Sequence, residues 1–149
     1  MSKWGSRERN ENGAAVVETA LCLCFVVLPL VFATIAYAYM LSFRQTVSQS
    51  AAEGARAAAV APVSADRIAA GTAAASVSLS TGVGGMTCTS PNVSCTVVPV
   101  PNCGDGSTNN CVRVTVSYPY RDHSLLPSMP GLGFMLPQTI SYSAIAQVN

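Results

Sequence analysis

Residues 12–41 read NGAAVVETALCLCFVVLPLVFATIAYAYML, and this stretch decides the fold. From Thr19 to Leu41 only Thr19, Pro29 and Thr34 interrupt an apolar run, and no Asp, Glu, Lys, Arg or His lies between Glu18 and Arg44. As a helix, Thr19–Leu41 would extend about 34 Å at ~1.5 Å per residue, against a hydrocarbon core of about 30 Å. The buried helix of a soluble domain rarely runs this long without a polar face. The run therefore predicts a membrane-inserted segment.

The flanks orient it. Lys3, Arg7 and Arg9 precede the span, whereas only Arg44 closely follows it. The positive-inside bias puts the N-terminus in the cytoplasm and residues 44–149 outside. Tyr37 and Tyr39 fall near the outer interface, where amphipathic rings are favoured.

Further out, composition narrows the function classes. Of 149 residues, 10% are charged, less than half of the roughly 25% of an average soluble domain. The length suits one domain. A net charge of +1 removes the electrostatic case for nucleic-acid binding, which needs a concentrated basic surface. With His123 the only histidine, a His-based metal site or catalytic triad has little to draw on. Asp122, His123 and Ser124 are sequence neighbours, which is not triad geometry, and no oxyanion signal accompanies them. No catalysis, cofactor or metal is expected.

Cys22 and Cys24 lie in the span as small apolar residues. Cys88, Cys95, Cys103 and Cys111 lie in the outer part, where an even count predicts two disulfides. Three connectivities are open, and the local pairs Cys88–Cys95 and Cys103–Cys111 are favoured. Zinc is the rival, but the spacing contains no C-x-x-C pair.

The outer part starts as helix. Residues 44–61, RQTVSQSAAEGARAAAVA, are rich in alanine and free of proline, and Glu53 and Arg56 can pair across one turn. The membrane helix can continue into this stretch, so that 14–61 form one helical rod kinked near Pro29. Its outer half offers Ser48, Ala51, Ala52, Gly54, Ala55 and Ala58, a surface that another element can approach closely. That element could be the chain's own head or a neighbouring subunit. Pro62 ends the helix; Ser64 is a candidate N-cap, with Asp66 in the first turn of a short helix to about Ser76.

Beyond it the period changes to two. Val112, Val114, Val116 and Tyr118 alternate with polar residues, as do Ile140, Tyr142, Ala144, Ala146 and Val148. Ser94–Val98 is a third strand, which Pro99 and Pro101 confine to an edge. Asn102–Asn110 is a turn-rich loop, and Pro119–Pro137 a long surface connection. The expected fold is α+β: a long N-terminal transmembrane and stalk helix, then a small head with one short helix and three or four antiparallel strands. The expected organisation is a leader at 1–13, a transmembrane helix at 14–43, an extracytoplasmic stalk helix at 44–61 and a disulfide-containing head at 62–149. A head of 88 residues is near the size at which disulfides or partners are recruited for stability.

The junction NGAAVVETALCLCF carries the functional signal. A charged leader ends at Gly13, and Glu18 sits at the edge of the apolar run, where a carboxylate is costly. A cut after Gly13 would make Ala14 the new N-terminus and Glu18 the fifth residue. This arrangement resembles a type IV prepilin cleavage site, in which the glutamate is thought to pair with the terminal amine of a neighbouring subunit. Each charge is costly in lipid alone, and pairing satisfies both. The bland alternative places Glu18 at headgroup level on an uncleaved anchor.

Over residues 9–61, about a third of the chain, the sequence resembles the N-terminal region of TadE-like proteins, pilin-like components of the bacterial tight-adherence (Tad/Flp) pilus apparatus. The matching residues are Arg9, Gly13, Ala14, Ala15, Glu18, Pro29, Gln45 and the run Ala51-Ala52-Glu53-Gly54-Ala55-Arg56. The six cysteines are not part of the pattern. The resemblance implies a type IV pilin-like fold and a minor pilin or pseudopilin, processed by a prepilin peptidase and helping to assemble, prime or mediate adhesion by the pilus. It implies an inner-membrane location, possible incorporation in a surface pilus, and as partners other pilin-like subunits, the Tad assembly machinery and membrane lipid. Glu53, Gly54 and Arg56 would form a close-packing notch and an ion pair. Two alternatives compete: a binding domain secreted by cleavage at Ala36-Tyr37-Ala38, and an unprocessed single-pass anchor with a disulfide-bonded head. A signal-peptide core of ~7–15 residues is shorter than this span.

Overall fold

In a computed structural model of the chain, the described residues are 8–62, 64–104, 106, 108–125 and 136–148. Lys3 and Arg7 of the expected leader, the Ser64 side chain and much of the Pro119–Pro137 connection therefore lie outside the described part. The elements in order are α1 (Glu8–Cys22), a π-helical turn (Leu23–Val27), α2 (Leu28–Val60), α3 (Ser64–Thr81), β1 (Ser94–Val100), β2 (Asn110–Tyr118) and β3 (Ile140–Val148). The chain divides into two compact units, Met1–Ala38 and Tyr39–Asn149.

In the first unit the described helix runs from Glu8, within the expected leader, to Pro29 through the π turn. The position of that turn has a chemical cause. Pro29 has no N–H to give the carbonyl four residues back, and its ring crowds that carbonyl. The helix widens just before it, and the Leu28 N–H reaches the Leu23 carbonyl, five residues back. Large apolar side chains in this unit are exposed, Phe25 at 75% and Leu30 at 63%. From Gly13 to Val60 the helix is long and apolar enough to cross a membrane, and its most apolar window buries nothing. Thr19 and Thr34 donate their hydroxyl protons to the carbonyls of Ala15 and Leu30, so neither leaves an unsatisfied donor in that surface.

The second unit is a two-layer α+β head. Buried residues of α2 recur every three or four positions: Met40, Phe43, Val47, Ser50, Ala51, Gly54, Ala55 and Ala58. Met40 and Phe43 thus belong to the head core although Met40 lies in the apolar run and Phe43 just beyond it. The sheet is antiparallel in the order β1-β2-β3, with β2 central. Val112, Val114, Val116 and Tyr118 form its buried inner row, with Ile140 and Val148 at the ends of β3. β1 is an edge strand and runs two residues further than expected, because Pro99 at an edge removes no essential ladder bond. α3 has 18 residues, five more than the expected end at Ser76. The extension is held by packing, since Leu79 is 1% exposed.

Two disulfides fasten the connections. Cys88–Cys95 ties the loop after α3 to β1, and Cys103–Cys111 ties the turn after β1 to the start of β2. Sequence separations of 7 and 8 restrict the unfolded chain by about 2–3 kcal/mol each in the loop-entropy account. Cys22 and Cys24 are free and exposed.

Candidate functional site

The sequence-singled residues fall on two stretches of helix. At the first, Gly13, Ala14 and Glu18 lie in α1, all exposed. A Cβ added at Gly13 would meet nothing within 4 Å. Because the chain is already helical at Glu8, Glu18 sits at least about three turns inside the helix, beyond the reach of its positive end. A cut after Gly13 would bring it to about one turn from the new terminus. Any dipole stabilisation of Glu18 therefore depends on cleavage.

The second stretch is the Ala51–Arg56 run of α2. Its two faces have opposite surroundings. On the outer face, Arg56 Nη1 lies 3.2 Å from Glu53 Oε1, with side chains 75% and 54% exposed. A pair this wet contributes at most a few tenths of a kcal/mol. On the inner face, Gly54 sits where α2 crosses α3 above the sheet. A Cβ there would come within 2.9 Å of the Gly71 carbonyl oxygen, 3.1 Å of the Ala75 Cβ and 3.1 Å of a Val114 methyl. Gly71 meets the crossing from the other side: a Cβ on it would lie 3.1 Å from the Ala58 Cβ and 3.2 Å from the Gly54 carbonyl. Two glycines 17 residues apart thus let two helix backbones touch, which no larger pair allows.

The contact continues toward the start of α2. A Cβ on Gly82 would collide with the Thr46 Cγ2. The Thr46 hydroxyl donates to the Ser42 carbonyl and accepts the Val83 N–H, each at 3.2 Å. Buried Ser50 Oγ lies 2.7 Å from the Thr46 carbonyl and 3.4 Å from Ser78 Oγ. At the same end Phe43 packs edge-on to Tyr118 (centroids 5.4 Å) and stacks on Tyr120 (5.7 Å). Burial raises the pKa of both tyrosines, and for Tyr120 the neighbouring Tyr39 and Tyr118 add to the shift. The Tyr118 hydroxyl donates to the His123 carbonyl at 2.8 Å, and the His123 N–H to the Pro119 carbonyl at 3.2 Å. Asp122 and His123 are thereby placed in an exposed turn closed by a core tyrosine.

Sequence reasoning singled out Gly54 but not Gly71, Gly82 or the Phe43–Tyr118–Tyr120 cluster. The signal for Gly71 was a lone glycine inside an alanine-rich helix, which is costly unless something must come close. The four outer cysteines are consumed in disulfides, and among the described residues no three His, Cys, Asp or Glu side chains are grouped to hold a metal.

Gly13 and Arg56 bracket the two stretches of helix that the sequence singled out. Residues 13–56 match the TadE-like protein family. No curated protein and no solved structure matches the chain. The TadE-like segment holds both the Gly13/Glu18 junction and the Gly54 notch, and it ends before α3 and the sheet. It supports a pilin-like component associated with the Tad pilus, with the apolar helix as its membrane anchor.

Proposed function

We propose that the protein is a minor pilin or pseudopilin of the Tad (Flp) pilus system, matured by a prepilin peptidase that cuts after Gly13. The observation that carries this reading is the TadE-like match from Gly13 to Arg56, laid on an exposed apolar helix that leads into a disulfide-bonded head. The chain is held in the bacterial inner membrane with its N-terminus in the cytoplasm. It acts by assembly, priming or adhesion, without catalysis.

The chemistry of the anchor supports a subunit role. An exposed Glu18 on an apolar helix is costly in lipid, and so is the amine that a cut would create at Ala14. Glu18 of one copy and the Ala14 amine of a neighbouring pilin-like subunit neutralise each other, which links processing to assembly. The cut also removes three basic and two acidic residues, leaving five of each in the mature chain.

The N-terminus of the protein recovered from membranes tests the reading. Mass spectrometry is expected to find Ala14. Tyr39 would indicate secretion by signal peptidase, and Met1 or Ser2 an unprocessed anchor; either overturns the proposal. Glu18→Ala is expected to leave insertion intact and impair assembly, so unchanged piliation would remove the pairing role.

A further inference from the structure

The bond proposed for cleavage lies inside a helix. α1 runs without interruption through the described residues Glu8–Cys22, and the Gly13–Ala14 bond lies inside it. In an α-helix the Ala14 N–H is engaged by the Asn10 carbonyl, and the Gly13 carbonyl by the Val17 N–H. Hydrolysis adds one water across this bond, leaving a carboxylate on Gly13 and the amine on Ala14. A peptidase must reach both faces of the peptide group to do this, so the helix has to open first.

The two sides of the bond are unequal in the way such an opening requires. Asn10, Asn12 and Gly13 are weak helix formers; beyond the bond Val16, Val17 and Thr19 are no stronger, but there the apolar helix lies in lipid on the reading above, where an opened backbone has no water to satisfy it. Among the described side chains no packing holds the bond: Gly13 meets nothing within 4 Å and residues 13–25 are exposed. Opening of Asn10–Gly13 is therefore a helix–coil matter, easier there than in the lipid-facing helix beyond it.

We propose that Asn10-Glu11-Asn12-Gly13 is a built-in melting step whose opening sets the rate of leader removal and confines the cut to the Gly13–Ala14 bond. This rests on the processing reading above. When opening is fast relative to cleavage, the rate follows the open population. Replacing a weak helix former by alanine closes the segment by roughly threefold per asparagine, about tenfold for the pair.

The test is a time course of precursor and mature masses, using the full-length chain in membranes with a prepilin peptidase. The variants are Asn10→Ala/Asn12→Ala and Asn10→Gly/Asn12→Gly, with Gly13 untouched in both. The alanine pair is expected to be cut about tenfold more slowly than the native sequence, and the glycine pair at least as fast. An alanine pair cut at the native rate overturns the proposal. So does a glycine pair slowed as much as the alanine pair, because the peptidase would then be reading the asparagine side chains. A native chain that is never cut overturns the processing reading itself, an outcome separate from both.

Discussion

Two stretches of the same helical run treat side-chain size in opposite ways. Between Val16 and Phe32 the large residues are outside, with Val16 69% and Phe25 75% exposed. Between Met40 and Ala58 the buried face is mostly small, with Ser50, Ala51, Gly54, Ala55 and Ala58 covered by the chain's own head. A lipid-facing surface has only to be apolar, and bulk adds apolar area. A surface packed against a second helix and a sheet has to let backbones approach, which only small residues permit. Phe43 marks the changeover: it sits two residues beyond the apolar run and is 1% exposed.

The largest effect expected from this contrast separates two phenylalanines. Phe43→Ala should lower head stability by about 3–5 kcal/mol, because it empties the ring cluster with Tyr118 and Tyr120. Phe25→Ala should leave the same unfolding transition within about 0.5 kcal/mol. Denaturant unfolding of the full chain in detergent, followed by the near-UV circular dichroism of the tyrosines, compares them. Equal losses would break the contrast.

Glycines give the intermediate effect. Gly54→Ala should cost about 1–3 kcal/mol in the same assay, although alanine is the better helix former, because its Cβ would press on the Gly71 carbonyl and Val114. Gly13→Ala, in open space, should not move the head transition. A stabilised Gly54→Ala head would show that the α2–α3 crossing yields easily.

The smallest effect tests the aromatic end of the core. Tyr118 and Tyr120 have folded-state pKa values raised above the ordinary value of 10.0. A raised value favours the protonated form in the fold, so the stability it contributes is full below about pH 10 and is lost as pH rises through the folded-state values. Tyr120→Phe should flatten this alkaline decline, measured as the unfolding midpoint between pH 9 and 12. An unchanged slope would mean that burial of Tyr120 is not coupled to its ionisation.

The sequence made a large part of this legible, for reasons that differ by element. The anchor was readable because partition into lipid depends on a run of side chains and hardly on anything distant. The strands β2 and β3 were readable because one buried face imposes alternation on Val112–Tyr118 and Ile140–Val148. The end of α3 was less so, since Val77, Ser78, Ser80 and Thr81 are weak helix formers and the element persists there through the burial of Leu79 and the Ser50–Ser78 contact with α2. Gly71 and Gly82 escaped notice because their partners, Gly54 and Thr46, lie 17 and 36 residues away.

By itself, then, the sequence determined the long apolar helix, the period change that makes a sheet, and the Gly13/Glu18 junction, all properties of neighbouring residues. Tertiary structure decided the destination of the small-residue face at Ala51–Ala58. Such a face fits a neighbouring subunit or the chain's own head equally well, because close approach needs only small side chains on both sides. The partner was fixed by where the fold carries Gly71, Ala75 and Val114: one helix and one strand brought within 3.1 Å of the room above Gly54.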